Sequence, residues 1–242
     1  MRQHMQSALR LLFPPACLGC GAAVGSDFGL CGPCWRETPF IGGVICDHCG
    51  IGLPGGEAGE HALCDDCMKT GRPWLRGRAA LLYEGRARDL VLRLKHADRD
   101  DIAIAAADWM VRAARGLAVP EMIVAPVPLH WRRRLRRRYN QSALLSRGIA
   151  RQARLTDVPD LLIRTGATRV LDGLGREARF DALAGQMTVA PRHASGLSGR
   201  PVLLVDDVMT TGATLAEATR ACLAAGSGPV SVLVLARVGK PP

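Results

Sequence analysis

Four C-x-x-C pairs lie within the first 67 residues of the chain: Cys17/Cys20, Cys31/Cys34, Cys46/Cys49 and Cys64/Cys67. Two residues between two cysteines let both thiolates face one metal ion from a tight turn. Gaps of ten residues between the first two pairs and of fourteen between the last two are typical of two four-cysteine zinc ribbons in tandem. We therefore predict two zinc ions, each bound by four thiolates.

Several interpretations of the cysteine pattern compete. Sequential ligand sets, residues 17–34 and 46–67, are favoured over interleaved sets, which need a crossed chain path, although the spacing permits both. Redox-active pairs or free buried thiols are the other alternative, and four pairs in series favour metal over them. Complete thiolate sets leave no open coordination position, so we expect both zinc ions to be structural. The ninth cysteine, Cys222, lies in a helical apolar pattern and is predicted to be a core residue.

A second group of chemically capable residues lies in the run VLLVDDVMTTGAT, residues 202–214. Four apolar residues lead to Asp206 and Asp207, and the loop from Thr210 to Thr214 then enters a predicted helix. The threonine hydroxyls, the loop N–H groups and the helix N-terminus suit a phosphate, and Gly212 permits its close approach. Carboxylates repel a phosphate, so they must face sugar hydroxyls or Mg²⁺. The run therefore predicts a site for a phosphorylated ribose.

Other interpretations of this run are weaker. It lacks the Gly-Lys-Thr ending of a Walker A loop, and no G-x-G-x-x-G motif follows a strand. An Asp-Asp pair before a helix is often only a cap. The combination with the apolar strand and the small-residue loop favours the ligand site over a cap.

Positive charge is concentrated in one segment. The chain has 32 Lys and Arg against 22 Asp and Glu, a formal net charge of +10, and six arginines lie among residues 132–138. Trp131 and Tyr139 flank them, which suits contact with a diphosphate or with single-stranded DNA. The alternative is a solvated helix face, because Trp131, Leu135 and Tyr139 recur at four-residue spacing.

Composition excludes some broad classes. The 242 residues are 48% hydrophobic, so a wholly disordered chain is excluded, and one large domain or a small and a larger one can form. The longest apolar run, Ile102 to Ala107, is far shorter than the ~20 residues of a membrane span. The start of the chain has no signal-peptide pattern. We expect a reducing cytoplasm, where cysteines bind metal more often than they form disulfides.

Alternating strand-like and helix-like stretches begin near Arg76. We predict strands over 78–83, 121–127, 201–205 and 229–236, helices over 86–96, 101–115, 140–155 and 212–225, and a loop over 164–179. Mostly apolar strands separated by helices predict an α/β fold with a parallel sheet covered on both faces, in which ligands bind at the carboxyl ends of the strands. The predicted division is a cysteine module over 1–75 and the α/β domain over 76–242.

Residues 202–214 resemble the phosphoribosyl diphosphate (PRPP) signature of type I phosphoribosyltransferases. The four C-x-x-C pairs, together with LRLKH at 92–96, PVPLH at 126–130 and RRYNQ at 137–141, resemble the ComF competence protein family. The resemblance covers essentially the whole chain. It implies a double zinc ribbon followed by a type I phosphoribosyltransferase-like domain, binding of PRPP with Mg²⁺, and a role in handling incoming DNA during natural transformation, with competence proteins as partners.

The resemblance also implies roles for individual residues. Asp206 and Asp207 would hold the ribose hydroxyls, and the loop would hold the 5′-phosphate through Thr210, Thr211, Gly212, Ala213 and Thr214. Pro126, Val127 and Pro128 would correspond to the pyrophosphate loop, with Lys95 and Arg136 near the diphosphate. The chain departs from the family pattern at Arg138, where a glycine is usual, and at 171–176, which lacks the usual glutamine.

The acceptor of a transferred ribose is not evident. Purine-specific phosphoribosyltransferases often carry Asp where this chain has Thr210, so the sequence offers no acceptor-side general base. Two functions therefore stay open. One is a phosphoribosyltransferase-like protein with an unidentified acceptor, and the other is a single-stranded DNA-binding adaptor that uses the same fold without transferase chemistry.

Overall fold

A five-stranded parallel sheet forms the centre of the molecule. The computed structural model describes residues 14–55, 61–95, 99–129, 140–165 and 176–239. The strands of the sheet are β1 (Arg76–Leu82), β2 (Ile123–Pro126), β3 (Thr156–Asp157), β6 (Val202–Met209) and β7 (Val230–Arg237). Their spatial order is β1-β7-β6-β2-β3, and all four pairings are parallel. The predicted α/β class is thereby confirmed.

The described helices surround this sheet. They are α1 (Gly32–Glu37), α2 (Asp65–Thr70), α3 (Gly85–Leu94), α4 (Asp100–Ala113), α5 (Gln141–Ala153), α6 (Arg176–Leu183), α7 (Ala194–Leu197) and α8 (Ala213–Ala224), with a short 3₁₀ turn at Pro191–His193. None of the helices within the described ranges has the length and apolar character required to cross a bilayer.

Both faces of the sheet are buried. In β6, Leu203 and Val205 belong to one apolar cluster, whereas Val202 and Leu204 belong to another, as the alternation of side chains along a strand requires. The first cluster includes residues of α3, α4 and α5. The second includes residues of α8, Cys222 among them, and of the second half of the cysteine module. Cys222 is fully buried, which confirms its prediction as a core residue.

The cysteine module packs directly on the sheet. Ile41 donates its N–H to the carbonyl of Ala80, and Leu82 donates to that of Pro39, so this segment covers the outer edge of β1. Further along β1, Gly77 donates to the carbonyl of Asp47 at 2.7 Å. A Cβ atom at Gly77 would lie 2.2 Å from the His48 carbonyl oxygen. Glycine is required here because the backbone of the module lies against the strand.

The predicted loop over 164–179 is wrong at both ends. Arg164 is the last residue of β4 (Leu162–Arg164), which pairs antiparallel with β5 (Met187–Val189), and α6 begins at Arg176. Residues 166–175 of that loop lie outside the described part of the chain. A strand of three residues has no room for a hydrophobic period of its own, and its partner in space defines it.

Candidate functional site

The eight C-x-x-C cysteines converge in two separate groups, which follow the chain in sequential order: Cys17, Cys20, Cys31 and Cys34, then Cys46, Cys49, Cys64 and Cys67. The four sulfur atoms of each group lie within 4.8 Å of one another. The Sγ atoms of Cys20 and Cys31 are 3.6 Å apart, and those of Cys49 and Cys64 are 3.7 Å apart. A tetrahedral zinc ion with Zn–S bonds of ~2.3 Å separates its ligands by about 3.8 Å. Both groups therefore fit a structural zinc ion.

Electrostatics within the first group also favours a cation. Burial opposes ionisation of Cys17, but backbone N–H groups, including that of Cys31 at 3.2 Å from its sulfur, outweigh burial and lower the pKa of the thiol to about 6. Burial and then the neighbouring cysteines raise the pKa of Cys34 to about 12. Four thiolates at this separation repel one another, and a bound dication removes that repulsion.

The acidic pair lies inside β6 and not after its end. The predicted strand over 201–205 stops too early, because the carboxylates interrupt the apolar pattern, whereas β6 continues to Met209. The neighbouring strand explains the extension, since Asp206 pairs in register with Val234 and Met209 with Arg237 of β7. Asp206 and Asp207 thus stand on paired backbone, just before the loop at 210–214.

Two side chains from outside β6, Ser142 and Lys95, hold the acidic pair. Ser142, in the first turn of α5, donates its hydroxyl to Asp206 Oδ1 at 2.9 Å, and the backbone N–H of Asp207 donates to the same oxygen at 2.9 Å. Lys95, immediately after α3, places its Nζ 3.3 Å from Asp207 Oδ2. Sequence reasoning predicted Lys95 but missed Ser142. The only signal for Ser142 was its position directly after the RRYNQ motif.

The carboxyl group of Asp206 is a weaker acid than an ordinary aspartate. Burial is the largest cause and the charge of Asp207 the second, and together they raise the pKa of Asp206 to about 7. The hydrogen bonds from Asp207 N–H and Ser142, together with the charge of Lys95, oppose this shift. A carboxyl group with this pKa gains acceptor capacity for sugar hydroxyls as it loses its proton near neutral pH.

The loop at 210–214 leads into the first turn of α8. Gly212 has φ +82°, a left-handed conformation that favours glycine, and its carbonyl accepts the N–H of Ala216 at 2.8 Å. The N–H of Ala213 donates to Thr211 Oγ1 at 3.3 Å. The first N–H groups of a twelve-residue helix have no acceptor within the helix. This combination of loop and helix N-terminus can bind an anion.

The segment at 126–128 lies beside β6 but offers little hydrogen-bonding capacity. Proline has no N–H, and the N–H of Val127 donates to the carbonyl of Val205 at 2.9 Å. The Val127 carbonyl accepts from Asn140 Nδ2 at 3.2 Å. Asn140 also caps α5 by accepting the N–H of Ser142. Within 126–128, the backbone therefore positions α5 and its serine.

Arg136 and the rest of the segment at 130–139 lie outside the described residues, as does His96. Among the predicted ligand residues that are described, the structure brings Lys95 together with Asp207, and places the acidic pair on the strand that leads into 210–214. The segment at 126–128 is on the adjacent strand, since Pro126 pairs with Val205.

Comparisons with known proteins cover both parts of the chain. A family model described as a double zinc ribbon domain matches residues 8–68. The DNA utilization protein YhgH of Escherichia coli K12 is 32% identical over 234 residues, which cover 94% of this chain and 99% of the relative. Competence protein F of Haemophilus influenzae is 30% identical over 215 residues, which cover 86% and 90%.

Solved structures give a more distant likeness. Glutamine PRPP amidotransferase from B. subtilis, complexed with ADP and GMP, aligns with a TM-score of 0.39 at 18% sequence identity. The alignment covers 59% of this chain and 30% of that enzyme. This chain therefore spans about a third of the length of that enzyme.

Proposed function

Because the chain belongs to the ComF family, we propose that it binds PRPP or a related ribose phosphate together with Mg²⁺. The observation that carries the proposal is the acidic pair of β6, held by Ser142 and Lys95 and followed directly by an anion-binding loop at the start of α8. A phosphate group and a pair of vicinal hydroxyls are the two chemistries that such a strand and loop can hold at once.

Each part of the site has a task in this proposal. The loop at 210–214 binds the 5′-phosphate, and Asp206 and Asp207 accept hydrogen bonds from the ribose hydroxyls. Lys95 contributes positive charge on the side of Asp207. Mg²⁺ would neutralise charge on the diphosphate and its departing oxygen. Pentosyl transfer to an unidentified acceptor would use the carboxylates to stabilise positive charge that develops on the sugar.

The two cysteine groups would hold zinc as structural ions. Residues 17–34 supply one set of four thiolates and residues 46–67 the other. Ribbons of this length bury little apolar surface of their own, so metal binding contributes directly to their folding. The thiols must stay reduced to bind zinc, which supports a reducing compartment such as the cytoplasm.

A second candidate function is binding of single-stranded DNA. Two observations favour it: the Escherichia coli relative is named a DNA utilization protein, and six arginines lie among residues 132–138 of this chain. An arginine cluster binds phosphates irrespective of whether they belong to a diphosphate or to a nucleic-acid backbone. DNA itself or a competence protein would then be the partner, and both functions can coexist in one chain.

Thermal unfolding tests the PRPP proposal. PRPP with Mg²⁺ at 100 times its dissociation constant should add about 2.7 kcal/mol to the free energy of unfolding, a rise of roughly 5–10 °C in Tm for a chain of this size. The double variant Asp206→Asn with Asp207→Asn should lose this stabilisation, because it removes both carboxylates that accept from the ribose.

A matched variant controls for charge. Asp108→Asn with Asp181→Asn replaces two carboxylates outside the site, a partly buried one on α4 that pairs with Arg112 and an exposed one on α6, and it should be stabilised as the wild type is. Equal stabilisation of the wild type and of the β6 double variant by PRPP would overturn the proposal.

A further inference from the structure

A single buried arginine joins the second cysteine group to the loop at 210–214. Arg72 follows α2, and its side chain is only 1% exposed. Its Nε donates to Cys67 Sγ at 3.4 Å, and its Nη2 to Asp66 Oδ2 at 3.0 Å. The remaining fork nitrogen, Nη1, donates to the carbonyl oxygen of Thr211 at 2.7 Å. The guanidinium group of Arg72 thus contacts a sulfur of the second cysteine group, the carboxylate of Asp66 on α2, and the candidate phosphate loop.

The loop lies directly on this arginine. A Cβ atom at Gly212 would come within 2.9 Å of Arg72 Nη1 and 3.1 Å of Trp74 Cη2. Trp74 is itself buried, and its ring centroid is 5.4 Å from the Arg72 guanidinium carbon. Glycine is therefore required at position 212 by the contact with Arg72 and Trp74 as well as by the positive φ.

Arg237 makes a parallel set of contacts at the end of β7. It is 6% exposed, and its Nη1 donates to the carbonyls of Thr210 at 2.7 Å and of Met209 at 3.2 Å.

These contacts fix the orientation of the loop peptides. In a trans peptide unit the N–H points opposite to the C=O. The carbonyl of Thr210 is directed at Arg237 and that of Thr211 at Arg72. The N–H of Thr211 consequently points away from the guanidinium of Arg237, and the N–H of Gly212 points away from that of Arg72. Successive N–H groups presented on one side of a turn form a cradle for an anion.

The charge of a zinc ion in the second cysteine group favours a buried arginine at this place. A zinc ion with four thiolates carries a net charge of −2, and a buried net charge is stabilised by opposite charges close to it. Arg72 supplies a positive charge beside this group through its contact with Cys67 Sγ. Its Nη1 is then held towards the carbonyl of Thr211.

We propose that Arg72 is the positioning residue through which the second zinc site orients the 210–214 loop for the phosphate of a ribose phosphate ligand. The inference rests on the proposed function for the identity of the ligand, whereas the contacts that orient the loop stand without it. Arg72 contacts the carbonyl side of the Thr211–Gly212 peptide, opposite to its N–H, and its side chain is only 1% exposed, so we assign it to the loop and not to direct contact with the phosphate.

Binding measurements on Arg72→Gln test the proposal, with Arg86→Gln as the matched control. Arg86 pairs with Glu37 on the first ribbon, and its replacement removes the same charge without touching the loop. Arg72→Gln should bind ribose 5-phosphate at least tenfold more weakly than wild type while keeping two zinc ions per chain. Its affinity for inorganic pyrophosphate with Mg²⁺ should stay within about twofold, and Arg86→Gln should bind both ligands as wild type does. Wild-type affinity of Arg72→Gln for ribose 5-phosphate, or equal weakening for both ligands, would overturn the proposal.

Hydrogen exchange of the backbone amides of Ala213 and Ala216, which donate to Thr211 Oγ1 and to the carbonyl of Gly212, separates this inference from the proposed function. Arg72→Gln should accelerate their exchange at least tenfold relative to Arg86→Gln. If the wild type binds no ribose phosphate, the proposed function fails, and unaltered exchange in Arg72→Gln would overturn the inference independently. Should Arg72→Gln lose zinc, Arg72→Lys is measured in its place. Lysine keeps the charge but has no fork to span Cys67 and Thr211, so unchanged loop exchange in Arg72→Lys would equally contradict the proposal.

Discussion

The two adjacent carboxylates of β6 have different surroundings. Asp206 accepts from the Ser142 hydroxyl and from a backbone N–H, whereas Asp207 forms an ion pair with Lys95. Because burial and the neighbouring charge raise the pKa of Asp206 to about 7, Asp206 keeps part of its proton at neutral pH. Any ligand that needs both carboxylates ionised must displace the remaining proton.

Ligand binding should therefore release protons below pH 7. Asp206 is mostly protonated below its pKa of about 7 and ionised above it, so affinity for PRPP with Mg²⁺ should rise between pH 6 and 8 and level off above. Calorimetry in buffers of different ionisation enthalpy measures the protons released. Since the Ser142 hydroxyl lowers the pKa of Asp206, Ser142→Ala should move the window of proton release to higher pH. An identical window in both proteins would contradict this assignment, and the titration of the ligand itself cancels in the comparison.

At the scale of elements, packing of the cysteine module against β1 depends on glycines. Gly50 has φ +71°, and a Cβ there would lie 2.4 Å from the backbone nitrogen of Ala79. On β1 itself, a Cβ at Gly77 would collide with the carbonyl of His48 in the module. The module and the strand consequently approach at backbone distance, which no larger residue permits.

Gly77→Ala should separate the module from β1. The added methyl group would lie 2.2 Å from the backbone carbonyl oxygen of His48, which cannot move aside as the end of a flexible side chain can. We therefore expect a loss of about 2–3 kcal/mol in the free energy of unfolding. Chemical denaturation measures the loss. Gly42→Ala is the matched control, since a Cβ at Gly42 has no atom within 4 Å, and it should leave stability nearly unchanged. Equal stability of the two variants would refute the close contact.

The elements differ in how far the sequence predicts them. The predicted strand at 229–236 and β7 agree within one residue, because an apolar run that is buried on both faces carries its own signal. The strand over 201–205 was predicted too short, since the two carboxylates of the candidate site, Asp206 and Asp207, break the apolar pattern. β3, with two residues, and the antiparallel pair β4–β5 are defined only by their partners in space.

Within the site, the predictable part is what one local run encodes. The run at 202–214 contains the carboxylates and the loop, and the sequential grouping that the sulfurs adopt was favoured because interleaved sets need a crossed chain path. Ser142, Arg72 and Arg237 were not predicted, because each acts on residues 27 to 139 positions away in the chain. Long-range side-chain contacts of this kind leave no periodic or spacing signal.

At the scale of the whole molecule, the two ribbons contact different parts of the domain. In the first ribbon, the carbonyls of Leu18 and Gly19 accept from Arg93 of α3. The second ribbon contacts β1 and the loop before α8. The second cysteine group thus contacts the candidate phosphate loop, whereas the first lies against the helix that precedes Lys95.

Charge is also distributed unevenly over the molecule. The formal charge of +10 counts every cysteine as neutral. Two zinc ions with four thiolates each contribute −2 apiece, which lowers the total to about +6 and makes the cysteine module locally more acidic. The six arginines of residues 132–138 then account for the remaining excess, and a polyanion should bind through that segment and not through the general surface.

The salt dependence of single-stranded DNA binding distinguishes binding through residues 132–138 from binding through the general surface charge. Each phosphate contact contributes about −0.7 to the slope of log affinity against log salt concentration. Replacing Arg132, Arg133 and Arg134 by Gln should therefore reduce the slope by about 2 and weaken binding at low salt. The control is the replacement of three exposed arginines by Gln at positions 88, 112 and 115, which removes the same charge and should leave the slope almost unchanged. Fluorescence anisotropy with a labelled oligonucleotide from 50 to 300 mM salt measures both slopes. Equal slopes in the two triple variants would mean that DNA responds only to net charge, and the adaptor function would lose its located site.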